Sequence, residues 1–331
     1  MLRSEITSRP TRATRKRPAA VTKRQRTIKR AARPAKAAIQ KSQPLVLGSD
    51  ISVHDAFGAI ARACRDHWNA NHPAAVMGQT PEGIHQFRVG LRRFLTALTL
   101  FRRQLPEQQH AWMRAEAKAL GDLLSRARDL DVFLTELAPR NAKSAEMVRL
   151  ARQSRDEAQG RVAATLTGAR YRRFLNRLDV WLDGKGWQAE GDDQLAAKDF
   201  ARTELNRRLA KIQKRVKNVA NASAQELHDL RIAIKKLRYG LEFFQSLLPE
   251  RRTQRIGRLL KSMQDSLGRL NDLEVAERTI GALTAKADSD DARQAVSRAG
   301  STLAASFKPL LKSAQPEAAR IAERLRAQRP L

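Results

Sequence analysis

From Ser49 onward apolar residues recur every three or four positions, and no stretch alternates with period two. That spacing predicts amphipathic α-helices and no sheet. The first helix opens within "SDISVHDAFGAIARACRDHW", where Ser or Asp suits the N-cap. Further helices are expected over roughly 84–105, 107–137, 143–167, 170–183, 194–220, 226–248, 250–285 and 289–328. "NHPAAVMGQTPEG" and "DGKGWQAEGDD" read as turn-rich breaks, while Pro106 and Pro249 stop their helices. The expected class is all-α.

The pattern also repeats. Shifted by 143 residues, 84–132 lies on 227–275 without a gap, and 14 of 49 positions are identical. His85 meets His228, Arg88 meets Arg231, Phe101 meets Phe244, and Pro106 meets Pro249. The same shift carries Phe57 onto Phe200. The simplest architecture is two similar bundles of about four helices in tandem, related by an approximate two-fold axis. Repeat 1 covers about 48–190 and repeat 2 about 191–331.

Each repeat contains one helix with two distinct faces. At about 100° per residue, Phe87, Leu91, Phe94, Leu98, Phe101 and Leu105 form a single stripe. His85, Arg88, Arg92, Thr96, Thr99 and Arg103 lie opposite. The second copy sets Leu230, Ile234, Leu237, Leu241, Phe244 and Leu248 against His228, Arg231, Lys235 and Tyr239, with Lys236 and Arg238 flanking. Such a polar face is ordinarily only solvated. Here it has almost no acidic partners at i+4, and its like charges repel unless an anion relieves them. Two such faces brought to one groove would concentrate polyanions. A second repeated block, "LGDLLSRARDLDVF" and "MQDSLGRLNDLEVA", puts Lys118, Asp122, Arg126 and Asp129 near one face, as it does Lys261, Asp265, Arg269 and Asp272. Intrahelical ion pairs and aspartates that position ligand-binding cations are both open readings of it.

Charge strengthens the polyanion reading. The 331-residue chain has 64 Lys+Arg against 34 Asp+Glu, a formal +30. Residues 1–47 hold fourteen of those cations and one acid, Glu5, with almost no large apolar side chain before Leu45. A disordered basic tail is expected there, suited to any polyanion, nucleic acid included. An organelle transit peptide shares this composition, although the apolar spacing makes no convincing amphipathic helix. One cysteine, Cys64, allows no intrachain disulfide and fits a reducing compartment. There is neither a run long enough to span a bilayer nor a secretory h-region, so a cytoplasmic address is expected.

"HQFRVGLRRF", "HDLRIAIKKLRYGLEFF" and the two Asp-containing blocks resemble the CHAD domain, the conserved histidine α-helical domain, over about 48–331. The resemblance implies two four-helix bundles around a basic central cavity. It further implies binding of inorganic polyphosphate and association with polyphosphate granules. Carried over by position, His85, Arg88, Arg92 and Arg93 match the first motif, and His228, Arg231, Lys235, Lys236, Arg238 and Tyr239 the second. Arg126 and Arg269 join them from the repeated block. Leu95 departs from the family, which usually has Arg there. The N-terminal triphosphatase domain of some relatives has no counterpart in the basic tail.

Other chemistries find less support. The six histidines show no metal-ligand spacing, and cationic neighbours oppose a divalent ion at His85 and His228. No phosphate-binding glycine loop, nucleophile constellation or two-metal carboxylate cluster is recognisable, so no cofactor and no enzymatic activity are expected. A histone-like, non-specific nucleic-acid-binding protein is the main rival. Only 5% of residues are aromatic, which leaves few platforms for stacking bases. An adaptor on granules or anionic membranes would show an amphipathic helix with exposed large apolar residues, and only core stripes are seen.

Overall fold

The structure, a computed structural model, describes residues 37–137, 144–187 and 195–331. The disorder expected for the basic tail falls, over residues 1–36, outside these. Ten α-helices are seen among the described residues: α1 Val53–Ala70, α2 His72–Met77, α3 Pro81–Leu100, α4 Glu107–Val132, α5 Ala145–Thr167, α6 Ala169–Asp183, α7 Ala197–Arg215, α8 Ala224–Phe243, α9 Glu250–Lys286 and α10 Asp290–Arg326. No strand forms among them, and the fold is all-α. The single antiparallel bridge, Ser52 with Ala196, joins the chain just before α1 to the chain just before α7. Val53 N–H donates to the Leu195 carbonyl at 2.9 Å, and Ala197 N–H to the Ile51 carbonyl at 3.0 Å.

Helix starts follow local chemistry. Ser52, Ser144, Ser223 and Ser289 each accept a backbone N–H of the first turn, and Ser223 closes a capping box with Glu226. The segment 72–77, expected as a break, is a short helix. Pro73 suits its first turn, and Gly78 ends it in the left-handed region at φ 60°. Phe133–Leu137 leaves α4 as a π-turn.

The two repeats share backbone detail. After α3, Phe101 leads into a 3-10 turn at Arg102–Gln104, extended Leu105, and Pro106 before α4. After α8, Phe244, a turn at Gln245–Leu247, extended Leu248 and Pro249 do the same before α9. The later parts differ. Repeat 1 breaks at Gly168 between α5 and α6, whereas repeat 2 continues through Pro309 in the 37-residue α10, which is about 55 Å long.

Residues of both repeats share one continuous core. At its centre Phe57, Phe101, Phe200 and Phe244 meet. Phe101 and Phe244, equivalent positions, have ring centroids 5.9 Å apart, and Phe101 stacks on Phe200 at 4.8 Å. Phe57 meets Phe101 edge-on at 5.2 Å, and Phe200 meets Phe244 edge-on at 6.1 Å. Arg93 pairs with Glu242 of α8 and lies over the Phe243 and Tyr239 rings. These contacts fix α3 against α8. Gly90 lets α1 approach α3: a Cβ there would lie 2.9 Å from the Trp68 backbone nitrogen. A second cluster, including Phe133, Met147, Leu283 and Phe307, packs the far ends of α4 and α5 against α9 and α10.

The packed chain begins before residue 48. Leu47 is 4% exposed, and its backbone exchanges hydrogen bonds with the Ser246 hydroxyl. Gln40 exchanges a reciprocal pair with the Asn71 side chain. Composition placed residues 37–47 with the tail because they carry few large apolar groups, but Leu45 and Leu47 find a core to join.

Two outcomes are expected. Phe101→Ala should lower stability by about 3–5 kcal/mol in urea unfolding, because it opens a cavity at the contact between repeats. Deleting residues 1–47 should lower the melting temperature below that of a 1–36 deletion, since burying a leucine contributes about 1.5–3 kcal/mol. Equal melting temperatures would mean that the Leu47 contact is unimportant.

Candidate polyanion-binding cavity

The polar faces of α3 and α8 line a cavity of about 570 Å³, with α4 and α9 completing its wall. From α3 come Arg88, Arg92, Leu95, Thr96 and Thr99, and from α8 come His228, Arg231, Ile232, Lys235, Lys236 and Tyr239. Helix α4 adds Arg114, Lys118, Ser125 and Asp129, and α9 adds Glu274, Val275 and Arg278. Leu95, Ile232 and Val275 form an apolar part of the wall. The helical register explains this layout: the same rotation that puts Phe94 and Leu98 in the core turns Arg92 and Thr96 away from it.

The cations are crowded and partly stripped of water. Burial, reinforced by Arg231, Arg92 and Arg88, pushes Lys235 down to about 7, and Asp272 only partly opposes this. Burial first, then Arg92, lowers Arg88 to about 10. Arg231 is lowered by burial, with Asp272 opposing and Arg92 reinforcing. Lys236 is lowered by burial and by Arg114, Arg208 and Arg215. The Arg92 Nε–H is buried without a hydrogen-bond partner. Arg88 is held in place, donating from Nη2 to the Ser125 hydroxyl at 2.7 Å, which itself donates to the Gly121 carbonyl. Asp129 pairs across the repeats with Arg278 at 3.0 Å, whereas Lys118 and Asp122 form an exposed i,i+4 pair at 2.7 Å. The repeated acidic block therefore contains both an intrahelical pair and a residue of the cavity wall.

Of the residues singled out in the sequence, Arg88, Arg92, His228, Arg231, Lys235, Lys236 and Tyr239 are brought together. The other five lie off the wall. His85 sits close to Arg88 and Arg92, and burial, followed by Arg128, pushes it down to about 4, so it is neutral near pH 7. Arg93 is 6% exposed and committed to Glu242 at the α3–α8 junction. Arg238 donates to Gln264 at 2.9 Å and borders a separate cavity of about 790 Å³. Arg126 is exposed on α4, and Arg269 pairs with Glu317 of α10 at 3.3 Å.

Sequence reasoning missed Arg114, Ser125, Glu274 and Arg278 as wall residues. Arg114 corresponds to Gly257 in the other repeat, so the repeat carried no signal for it. Among the described residues, no helix is long and apolar enough to cross a membrane.

Comparisons with known proteins agree with this fold. The crystal structure of the CHAD domain from the plant Ricinus communis superposes with a TM-score of 0.74 at 30% identity, covering 88% of this chain and 98% of that one. PptA from Streptomyces chartreusis shares the fold, with a TM-score of 0.62 at 14% identity over 82% of this chain and 99% of that one. An uncharacterized protein of Mycobacterium tuberculosis is 28% identical over 177 residues, which make up 50% of this chain and 34% of the relative. A second strain supplies a similar protein at 27%. The chain thus spans about a third of the length of these curated relatives. The CHAD domain model matches residues 59–281, and the chain belongs to the CHAD-domain family.

Proposed function

We propose that the cavity binds inorganic polyphosphate and does not transform it. The observation that carries this reading is that Arg88, Arg92, Arg231 and Lys235 line one partly desolvated cavity, where burial first and the neighbouring arginines second lower Lys235 to about 7. Cations forced together in this way gain most from a ligand with closely spaced negative charge. Arginine forks suit phosphate oxygens, and the lysine supplies a point charge. A volume of about 570 Å³ is that of a small-molecule site, which takes a stretch of bare phosphate chain and excludes a duplex. Tyr239 and His228 are the two ring-bearing side chains on the described wall, which gives little for bases to stack on. The Ser125 hydroxyl is engaged by Arg88 and Gly121, an arrangement that orients Arg88 and does not activate a nucleophile. In this reading the cell would use the protein on polyphosphate granules, with the cationic tail adding charge-driven affinity of the kind any nucleic acid would also feel.

Arg88→Ala and Arg231→Ala should each weaken polyphosphate binding and reduce the slope of log affinity against log salt by about 1. Both variants should unfold cooperatively, because the apolar stripes of α3 and α8 are untouched. A folded double variant with unchanged affinity and slope would sink the proposal. Tighter binding of duplex DNA than of polyphosphate by the intact chain would favour the nucleic-acid reading.

The depressed Lys235 makes binding depend on pH. In the free protein it loses its proton as pH rises through about 7, while bound phosphates favour the charged form and raise its pKa. Binding above pH 7 must therefore take up a proton. Affinity should fall as pH rises from 7 to 9, by at most about tenfold per unit, and Lys235 should add no pH dependence well below 7. Lys235→Met should bind more weakly and flatten this profile. An unchanged profile in that variant would rule out Lys235 as the titrating group.

A further inference from the structure

The second cavity, of about 790 Å³, lies at the α8–α9 corner and shares no described wall residue with the first. Arg238, Leu241 and Glu242 of α8 face Gly257, Arg258 and Lys261 of α9 across it. On both helices these positions fall on one stripe, three or four residues apart. Leu248 at the corner and Leu45 and Val46 from the chain before α1 complete the wall.

The internal repeat shows how this corner differs from its counterpart. The 143-residue shift sets Arg238, Glu242, Gly257 and Lys261 on Leu95, Thr99, Arg114 and Lys118. All four of those residues line the polyanion cavity. The frame is shared, but Gly257 stands where Arg114 fills the wall. Glycine inside a helix lowers stability relative to alanine. Neither a left-handed backbone nor close packing calls for it here, since a Cβ at Gly257 would meet nothing within 4 Å. Gly121, Gly160, Gly268 and Gly281 are equally open but line neither cavity. At Gly257 the missing side chain leaves space at a cavity wall.

That space has an apolar side and a cationic one. Leu241 and Leu248 are buried, Leu45 packs on the same core, and Val46 is 81% exposed, so apolar surface runs from floor to rim. The charges are unequally committed. Glu242 is engaged by Arg93 and Arg238, Arg238 also donates to Gln264, and Glu250 accepts from Gln254. Among the described residues, Arg258 and Lys261, one turn apart on α9, have neither an ion pair nor a hydrogen bond. No aromatic ring is found on the described wall, so a planar base has nothing to stack on. Leucine and valine beside two uncommitted cations suit an alkyl chain with an anionic head.

We propose that this second cavity binds a free single-chain amphiphilic anion, an alkyl carboxylate. Its head lies on Arg258 and Lys261, and its chain covers Leu241, Leu248, Leu45 and Val46. The site is independent of the polyphosphate reading, because the two cavities have no described wall residue in common.

The test uses the full chain at a salt concentration that suppresses general attraction to its positive charge, with each ligand below its micelle-forming concentration. Decanoate should bind about tenfold or more tightly than decanol, the scale of a charge-assisted hydrogen bond. Each methylene removed toward hexanoate should weaken binding by up to about fourfold. Gly257→Leu fills the space and should abolish binding without lowering the melting temperature, since leucine is the better helix former. Arg258→Ala with Lys261→Ala should erase the preference for decanoate over decanol. Should Gly257→Leu fail to fold, Val46→Asp sets a like charge at the exposed rim and should weaken decanoate more than decanol. Phosphatidylglycerol vesicles should not displace decanoate; displacement would assign the site to a membrane lipid and overturn the free anion. Equal binding of decanoate, hexanoate and decanol also overturns the inference, as does unchanged decanoate binding in folded Gly257→Leu or Val46→Asp. Polyphosphate binding should be unaltered in Gly257→Leu, and its loss there would overturn the separation of the two sites.

Discussion

The packing of α3 against α8 is the constraint from which the rest of the structure follows. Phe101 and Phe244 meet at the contact between repeats, with Phe57 and Phe200 around them. Because each helix is two-faced, fixing the apolar stripes together also decides where the polar faces go. They converge, and the convergence is unfavourable by itself. Lowering Lys235 from 10.5 to about 7 corresponds to roughly 5 kcal/mol against its charged form. A single buried Phe or Leu returns about 1.5–3 kcal/mol, so several core side chains must act together to hold one such cation in place. A shared core spanning both repeats supplies that excess.

The repeats are alike in backbone but not in their use of the cavity. Arg92 and Lys235, equivalent by the 143-residue shift, both line it. Lys236 lines it too, whereas its equivalent Arg93 is turned into the α3–α8 junction, against Glu242 and Phe243. Arg114 and Ser125 of α4 line the wall, while their equivalents in α9 are the glycines 257 and 268. A repeated frame therefore carries one asymmetric site. Duplication lets one copy of a basic position become structural while the other remains available to a ligand.

This asymmetry also marks what could be read from residues alone. Helical class, most helix boundaries, the apolar stripes and the two basic faces are local properties, set by a period near 3.6 residues, and they were legible. Pro106 and Pro249 gave the corners for the same reason. The flank on which a basic residue lies is not local. Arg93 sits about 100° around the helix from Arg92, and only the position of α8 decides that it meets Glu242. Arg238 was assigned to the groove by motif, yet a neighbouring glutamine on α9 takes it elsewhere. The helix at 72–77 was missed because its six residues hold no full period, and Pro and Gly at its ends resemble a loop. Arg114 had no repeat partner to draw attention to it. The wall acids Asp129 and Glu274 were hardest to place, since their meaning depends on the cations that face them across the cavity.

A cavity of this kind links ligand and fold in a definite direction. In the free protein, Arg88, Arg231, Lys235 and Lys236 all have their charged forms disfavoured by burial first and by neighbouring arginines second. An anion that enters removes part of that penalty, so some of the apparent affinity is released repulsion and not new contact. The acids temper the effect: Asp129 and Asp272 favour the charged forms of nearby cations before any ligand arrives. Without Asp272, burial and repulsion at Lys235 would go unopposed and more of that lysine would be neutral near pH 7. With too many acids the cluster would be neutralised and have little reason to bind. Acids that favour their neighbours' charged forms while leaving the cavity cationic keep the cluster charged, in a fold whose core can still contain it.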